Sequence, residues 1–218
     1  MNIKGIIFDM DGVLIDTEKL YVRFWCEGAN FYGYKMKEYH ALSIRSMARP
    51  FAIEKLKGYF GEDFDYYKVH QKRIELMDKF IEENGIETKP YAKETLRFLK
   101  ENGYKTALAT ATGIEKTETY LNQMGLYEYL DEIVCASMVL KGKPEPDIYL
   151  KAAEFLGLNP NECIAVEDSP NGIKSASRAG CVTVMIPDLD LPDENTKKNT
   201  YKVLENLSEL KEMLLKIN

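Results

Sequence analysis

Ile6-Ile7-Phe8-Asp9-Met10-Asp11-Gly12-Val13-Leu14-Ile15-Asp16 opens with an apolar run that stops at two carboxylates spaced i and i+2 and followed by glycine. A short run without polar interruption fits a strand buried on both faces, as in a parallel sheet. Two aspartates this close repel each other, and one would ordinarily keep its proton. Holding both ionised calls for a cation, and hard oxygen ligands suit Mg2+. Taken alone, the same residues also fit a strand entering an acidic turn, because Asp and Gly are ordinary turn residues.

Outward from this stretch, the pattern first becomes helical. Segments around 17–33, 47–59 and 63–84 read as helices separated by Gly33, Gly58 and Gly61, forming a block of about 70 residues without strand-like alternation. Gly85 and Pro90 mark the return. Beyond them, helices over 91–102, 114–124, 146–156 and 170–179 alternate with strands over 104–110, 132–135, 163–167 and 182–186, and a last helix lies near 207–216. Such alternation implies right-handed crossovers and a parallel sheet covered on both faces. The expected fold is α/β: a Rossmann-like parallel sheet core from 1–16 and 87–218, with an inserted α-helical bundle over 17–86. Folds of this kind bind ligands at the carboxyl ends of their strands.

Composition narrows the partners. The chain has 218 residues, 45% hydrophobic and 29% charged, which suits a soluble globular protein rather than a disordered one. Its formal net charge of -6 argues against nucleic acid or an anionic membrane as the main partner. No apolar run approaches the roughly 20 residues of a membrane span, and no basic region with a cleavage site precedes the first strand. A cytoplasmic, monomeric enzyme acting on a small molecule is expected. Cys26, Cys135, Cys163 and Cys181 are scattered without metal-type pairs and read as free thiols.

The strand ends hold the candidate chemistry. Thr106-Ala107-Leu108-Ala109 runs into Thr110-Ala111-Thr112-Gly113 before a helix, where a hydroxyl and free backbone N–H groups suit a phosphate. Thr112 is explained equally well as a helix N-cap, which leaves Thr110 as the functional candidate. After the third strand, Lys143 stands on a loop stiffened by Pro144 and Pro146, able to offset carboxylate charge and hold a phosphoryl oxygen. An exposed surface lysine is the plain alternative. The fourth strand, Cys163-Ile164-Ala165-Val166, ends in Glu167-Asp168-Ser169-Pro170 and repeats the opening theme. Ser169 can cap a helix starting at Pro170, but that does not explain two consecutive carboxylates.

Asp9-Met10-Asp11-Gly12, Thr110, Lys143-Pro144 and Glu167-Asp168, in that order and each at a strand end, resemble the four motifs of the haloacid dehalogenase superfamily. Asp16-Thr17-Glu18 and Glu167-Asp168-Ser169 resemble its β-phosphoglucomutase-like phosphatases and phosphomutases, and the helical insertion resembles their cap. The resemblance implies a catalytic set of Asp9, Asp11, Thr110 and Lys143. Asp9 would be the nucleophile that forms an aspartyl-phosphate, and Asp11 the general acid and base. Thr110 and Lys143 would hold the nonbridging oxygens. Mg2+ would bind Asp9, the backbone carbonyl of Asp11, and Asp168, with Glu167 adjacent.

In the sugar-phosphate mutases a histidine occupies the position of Tyr21, and neither His40 nor His70 lies there. The expectation is therefore a Mg-dependent phosphate-monoester hydrolase acting on a small phosphorylated metabolite, a sugar phosphate in particular. A hexose phosphate mutase of the β-phosphoglucomutase type is the alternative. Tyr21, Arg45, Arg49 and Arg73 are the cap candidates for substrate contact, the arginines for a distal anionic group, although a solvated helix face accounts for each arginine as well. A non-catalytic metabolite-binding relative would be expected to have lost Asp9 or Asp11. A response-regulator receiver, with its own Asp, Thr and Lys, has no helical insertion after its first strand.

Overall fold

The computed structural model describes residues 1–45 and 47–217. Its centre is a parallel sheet of β1 (Gly5–Phe8), β2 (Lys105–Thr110), β3 (Glu132–Cys135), β4 (Cys163–Glu167), β5 (Val182–Met185) and β6 (Lys202–Val203), in the spatial order β3-β2-β1-β4-β5-β6. β1 is flanked by β2 and β4, with Phe8 in register with Leu108 and Val166. The carboxyl ends of these strands therefore emerge side by side.

Alternation along the strands divides the core between the two faces. Ile6, Phe8, Leu108, Ile164 and Val166 pack with Leu96 and Leu99 of α5 (Ala92–Glu101) and Leu210 of α10 (Leu207–Ile217). Ile7, Ala107, Ala109 and Ala165 pack with Ile148, Tyr149 and Ala152 of α7 (Asp147–Phe155) and Ala176 of α8 (Pro170–Ala179). The helix α6 (Ile114–Met124) follows β2. The sequence reading lacks the short helices α2 (Glu38–Leu42) and α9 (Glu194–Lys198) and the two-residue strand β6. Both residues of β6 are exposed, so no apolar run announces it.

The helical block consists of α1 (Glu18–Phe31), α2 (Glu38–Leu42), α3 (Arg49–Phe60) and α4 (Tyr66–Asn84). It has its own cluster around Trp25, Ala29, Leu56 and Val69. Gly28 lets α1 approach α4 closely, since a Cβ there would stand 3.0 Å from the Arg73 nitrogen and 3.1 Å from the Val69 carbonyl. At the other end, Leu20 and Phe24 of α1 and Met77 and Ile81 of α4 join the sheet's core. The two chain crossings pair with each other. Ile15 bridges Thr88, Asp16 N–H bonds the Glu87 carbonyl at 2.9 Å, and Lys89 N–H bonds the Leu14 carbonyl at 2.9 Å.

The four cysteines are free, three buried and Cys26 partly exposed. Among the described residues, no helix is long and apolar enough to cross a membrane.

Candidate active site

The order of the sheet gathers residues from three separate stretches of chain. Asp9 follows β1, Glu167 ends β4, Asp168 follows it, and Lys143 reaches in from the loop after β3. The Lys143 side chain is only 1% exposed, which removes it from the surface position that its neighbours in sequence allow. Its Nζ donates to Asp9 Oδ1 at 2.7 Å and to Glu167 Oε1 at 2.6 Å. Tyr149 donates to the same Glu167 oxygen at 2.5 Å, and Ser169 donates to Glu167 Oε2 at 3.3 Å. Ser169 also accepts from the Gly172 N–H at 3.1 Å, so it caps α8 while steadying Glu167.

Burial sets the electrostatics. Asp9, Asp11, Glu18, Glu167 and Asp168 are all buried, with Lys143 and Arg45 as the buried cations that touch them. Desolvation raises the Asp9 carboxyl to about 7; Lys143 opposes the rise, while Glu167 and Asp11 add to it. Asp168 is raised well above the carboxylate range by burial, against the pull of Arg45, and Glu18 by burial and by Asp168. Lys143 is raised because Asp9 and Glu167 more than offset its own desolvation. This cluster is short of positive charge.

The donor set fits a hard divalent cation. Asp9, Glu167 and Asp168 bring oxygens within 4.8 Å of one another, and Asp168 Oδ1 is buried without a hydrogen-bond partner, while its Oδ2 is paired with Arg45 at 3.0 Å.

The Asp11 side chain faces another way. Its Oδ1 accepts from Thr17 at 2.5 Å and its Oδ2 from Thr112 at 2.8 Å. Neither threonine caps a helix with its hydroxyl: Thr17 stands at the N-cap of α1 without a side-chain cap bond, and the N-cap of α6 is Gly113. Thr112 is thus drawn to Asp11 instead of the capping role its position suggests. Thr110 is fully buried, and its hydroxyl accepts from the Thr112 N–H at 3.0 Å. Tyr21 Oη lies 3.4 Å from Thr112 Oγ1.

Asp9, Asp11 and Lys143 open onto a cavity of about 840 Å3 between sheet and helical block, lined on the block's side by Tyr21, Trp25, Arg49, His70 and Arg73 among others. The three arginines differ. Arg45 is turned into the acidic cluster, where it pairs with Asp168 and Glu18. Arg49 sits beside Tyr66. Arg73 is buried with its guanidinium over Tyr21 at 4.8 Å, its Nη2 3.3 Å from His70 Nε2, and its Nε unpartnered.

A family model described as haloacid dehalogenase-like hydrolase matches residues 3–180. The chain belongs to that family. This hydrolase is 33% identical over 183 residues to a phosphorylated carbohydrates phosphatase of Thermotoga maritima, covering 81% of this chain and 82% of the relative. It is 30% identical over 217 residues to hexitol phosphatase A of Escherichia coli, covering 97% and 96%. Its fold is that of β-phosphoglucomutase from Clostridium difficile, with a TM-score of 0.82, 24% identity, and coverage of 98% and 96%.

Sequence reasoning gave no role to three residues of this hydrolase's site. Glu18 lies within the Asp16-Thr17-Glu18 motif, and its position in the first turn of α1 could have marked it. Thr17 belongs to the same motif and stands at the N-cap of α1, where capping alone would explain a threonine. Tyr149 lies on the buried face of α7, where a phenol needs a partner for its hydroxyl.

Proposed function

We propose that the chain is a Mg2+-dependent phosphate-monoester hydrolase for a small phosphorylated metabolite, a sugar or polyol phosphate in particular, working through an aspartyl-phosphate on Asp9. One observation carries the reading: Asp9 and Asp11 line one cavity, but one carboxylate is bound to a buried lysine and the other to two hydroxyls. That difference suits two roles, nucleophile and proton carrier. The names of the curated relatives support the substrate class.

In the first step an Asp9 carboxylate oxygen forms a bond to phosphorus as the ester oxygen leaves and takes a proton from Asp11. In the second, a water gives its proton to Asp11 and attacks phosphorus, releasing phosphate and restoring Asp9. Lys143, held at Asp9, offsets charge on the phosphoryl oxygens. Ala111, Thr112 and Gly113 line the same cavity, and the buried Thr110 hydroxyl behind them, bonded to the Thr112 N–H, would join them at a phosphoryl oxygen. Held by Asp9, Glu167, Asp168 and the Asp11 carbonyl, Mg2+ would reduce the repulsion between carboxylate and phosphate dianion.

Residues 17–86 would form a cap over a catalytic domain of 1–16 and 87–218, moving about the paired crossings at Leu14–Thr17 and Ile86–Pro90. Tyr21, Arg49 and Arg73 would face the substrate, with Arg73 the best placed for an anionic or hydrogen-bond-accepting group distal to the phosphate.

Phosphate release from a panel of sugar, polyol and nucleoside phosphates tests the reading. Asp9→Asn should abolish release, and Asp11→Asn should lower it about 10²- to 10⁴-fold, more for poor leaving groups. Undiminished turnover in Asp9→Asn, or in excess chelator, would remove the mechanism.

A further inference from the structure

Arg45 comes from the segment between α2 and α3, yet its guanidinium ends inside the acidic cluster of the sheet. Its Nη2 lies 3.0 Å from Asp168 Oδ2, 3.3 Å from the Asp168 carbonyl oxygen and 3.3 Å from Asp190 Oδ2, and its Nε lies 3.5 Å from Glu18 Oε2. The backbone beside it is tied down as well. Asn171 Nδ2 donates to the Arg45 carbonyl at 3.0 Å, and the Ala48 N–H bonds the Lys143 carbonyl at 2.9 Å. The helical block is thereby docked onto both the Lys143 loop and the Glu167-Asp168 turn.

We infer that Arg45 is a positioning residue for the metal-binding carboxylate of Asp168, so that docking of the helical block and cation affinity are coupled. The inference rests on the proposed binding of a divalent cation by Asp9, Glu167 and Asp168. A carboxylate with one oxygen against a guanidinium cannot rotate freely, and Oδ1 remains as the buried oxygen without a hydrogen-bond partner, left for the cation. Residues behind the ligands of a metal fix ligand orientation in this way. Arginine suits the task because one rigid, planar group reaches Asp168 through Nη2 while its Nε faces Glu18, a spread that a lysine ammonium does not reproduce. Asp190 meets the same Nη2, and Glu18 lies at Nε. Undocking the block withdraws Arg45 from Asp168, so a cation should favour the docked form, and docking should tighten the cation to the same degree.

Direct titration of Mn2+ by electron paramagnetic resonance, with Mg2+ competition and no substrate present, tests this without reference to turnover. Wild type should bind an ion that Asp168→Asn loses. Arg45→Gln should weaken binding about 10-fold, and Arg45→Lys should recover only part of the loss. If Arg45→Gln fails to fold by circular dichroism, Asp190→Asn carries the test. Asp190 is partly exposed, and its loss should weaken binding about two- to threefold. Wild type that takes up no Mg2+-competed Mn2+ would sink the cation reading and this inference with it. Ordinary wild-type binding with unchanged or tighter binding in folded Arg45 and Asp190 variants would overturn the inference alone.

Discussion

Thr112 Oγ1 donates to Asp11 Oδ2 at 2.8 Å, and Tyr21 Oη lies 3.4 Å from that same hydroxyl. A threonine hydroxyl has one proton, and here it is committed to Asp11, so Tyr21 must be the donor to Thr112. Burial, and then the neighbouring Asp11, raise the Tyr21 phenol and keep it protonated. A directed chain thus runs from α1 of the helical block to Asp11. Tyr21→Phe should lower kcat about two- to tenfold with little change in KM, the effect of one neutral hydrogen bond. Thr112→Val should cost more, because it removes a direct bond to the carboxylate. Wild-type kcat in Tyr21→Phe would show that the 3.4 Å contact transmits nothing.

The same chain bears on the fate of the aspartyl-phosphate. Burial raises the Asp11 carboxyl, against the pull of its bonds from Thr17 and Thr112, which suits it to carry the proton of the first step. Once that proton has left, both carboxylate oxygens accept hydrogen bonds and Asp11 is ready to take a proton from water. Offered β-glucose 1-phosphate with a bisphosphate primer, the protein should release phosphate faster than it forms glucose 6-phosphate. Monitoring both products together checks this, and isomerisation well ahead of release would identify a mutase.

Gly172 leaves no room for a side chain. A Cβ there would fall 1.9 Å from the Glu167 Cδ. The Glu167 carboxylate cannot simply swing aside, being held by Lys143, Tyr149 and Ser169. Gly172→Ala should therefore displace Glu167, weaken cation binding and cost about 1–3 kcal/mol of stability. Chemical denaturation and metal titration check it; an unchanged midpoint together with unchanged affinity would contradict the geometry.

His70 should give the fold an acid-sensitive margin. It stacks on Tyr66 at 5.5 Å and lies beside Arg73; burial first, then Arg73, Arg49 and Lys116, push its pKa down to about 4. An unfolded histidine titrates near 6.5, so between these values the unfolded chain binds more protons. The contribution is complete above about pH 6.5 and is lost as the pH falls toward 4. His70→Phe keeps the stack without the titration, and its melting temperature should fall less than that of wild type over this window. Parallel curves would exclude His70 as the source.

The sequence by itself determined the strand ends and the carboxylates that stand at them. An apolar run fixes a buried strand, and a carboxylate just past it must lie at the sheet's carboxyl edge, so the places of Asp9 and Glu167-Asp168 were legible from local pattern. Lys143, well beyond the end of β3, could as well have been a surface lysine until the fold buried it against Asp9 and Glu167. β6 and α9 were not, since a two-residue exposed strand and a five-residue helix carry no apolar period. Tertiary structure alone decided where competing side chains went. Thr17 and Thr112 could each have capped a helix, and the proximity of Asp11 claimed both hydroxyls. Arg45 could have lain on a solvated face or turned toward substrate, and the unmet charge of Asp168, 123 positions away, drew it inward. Such choices depend on which partner the folded chain brings within about 3 Å, a distance that local sequence pattern does not encode.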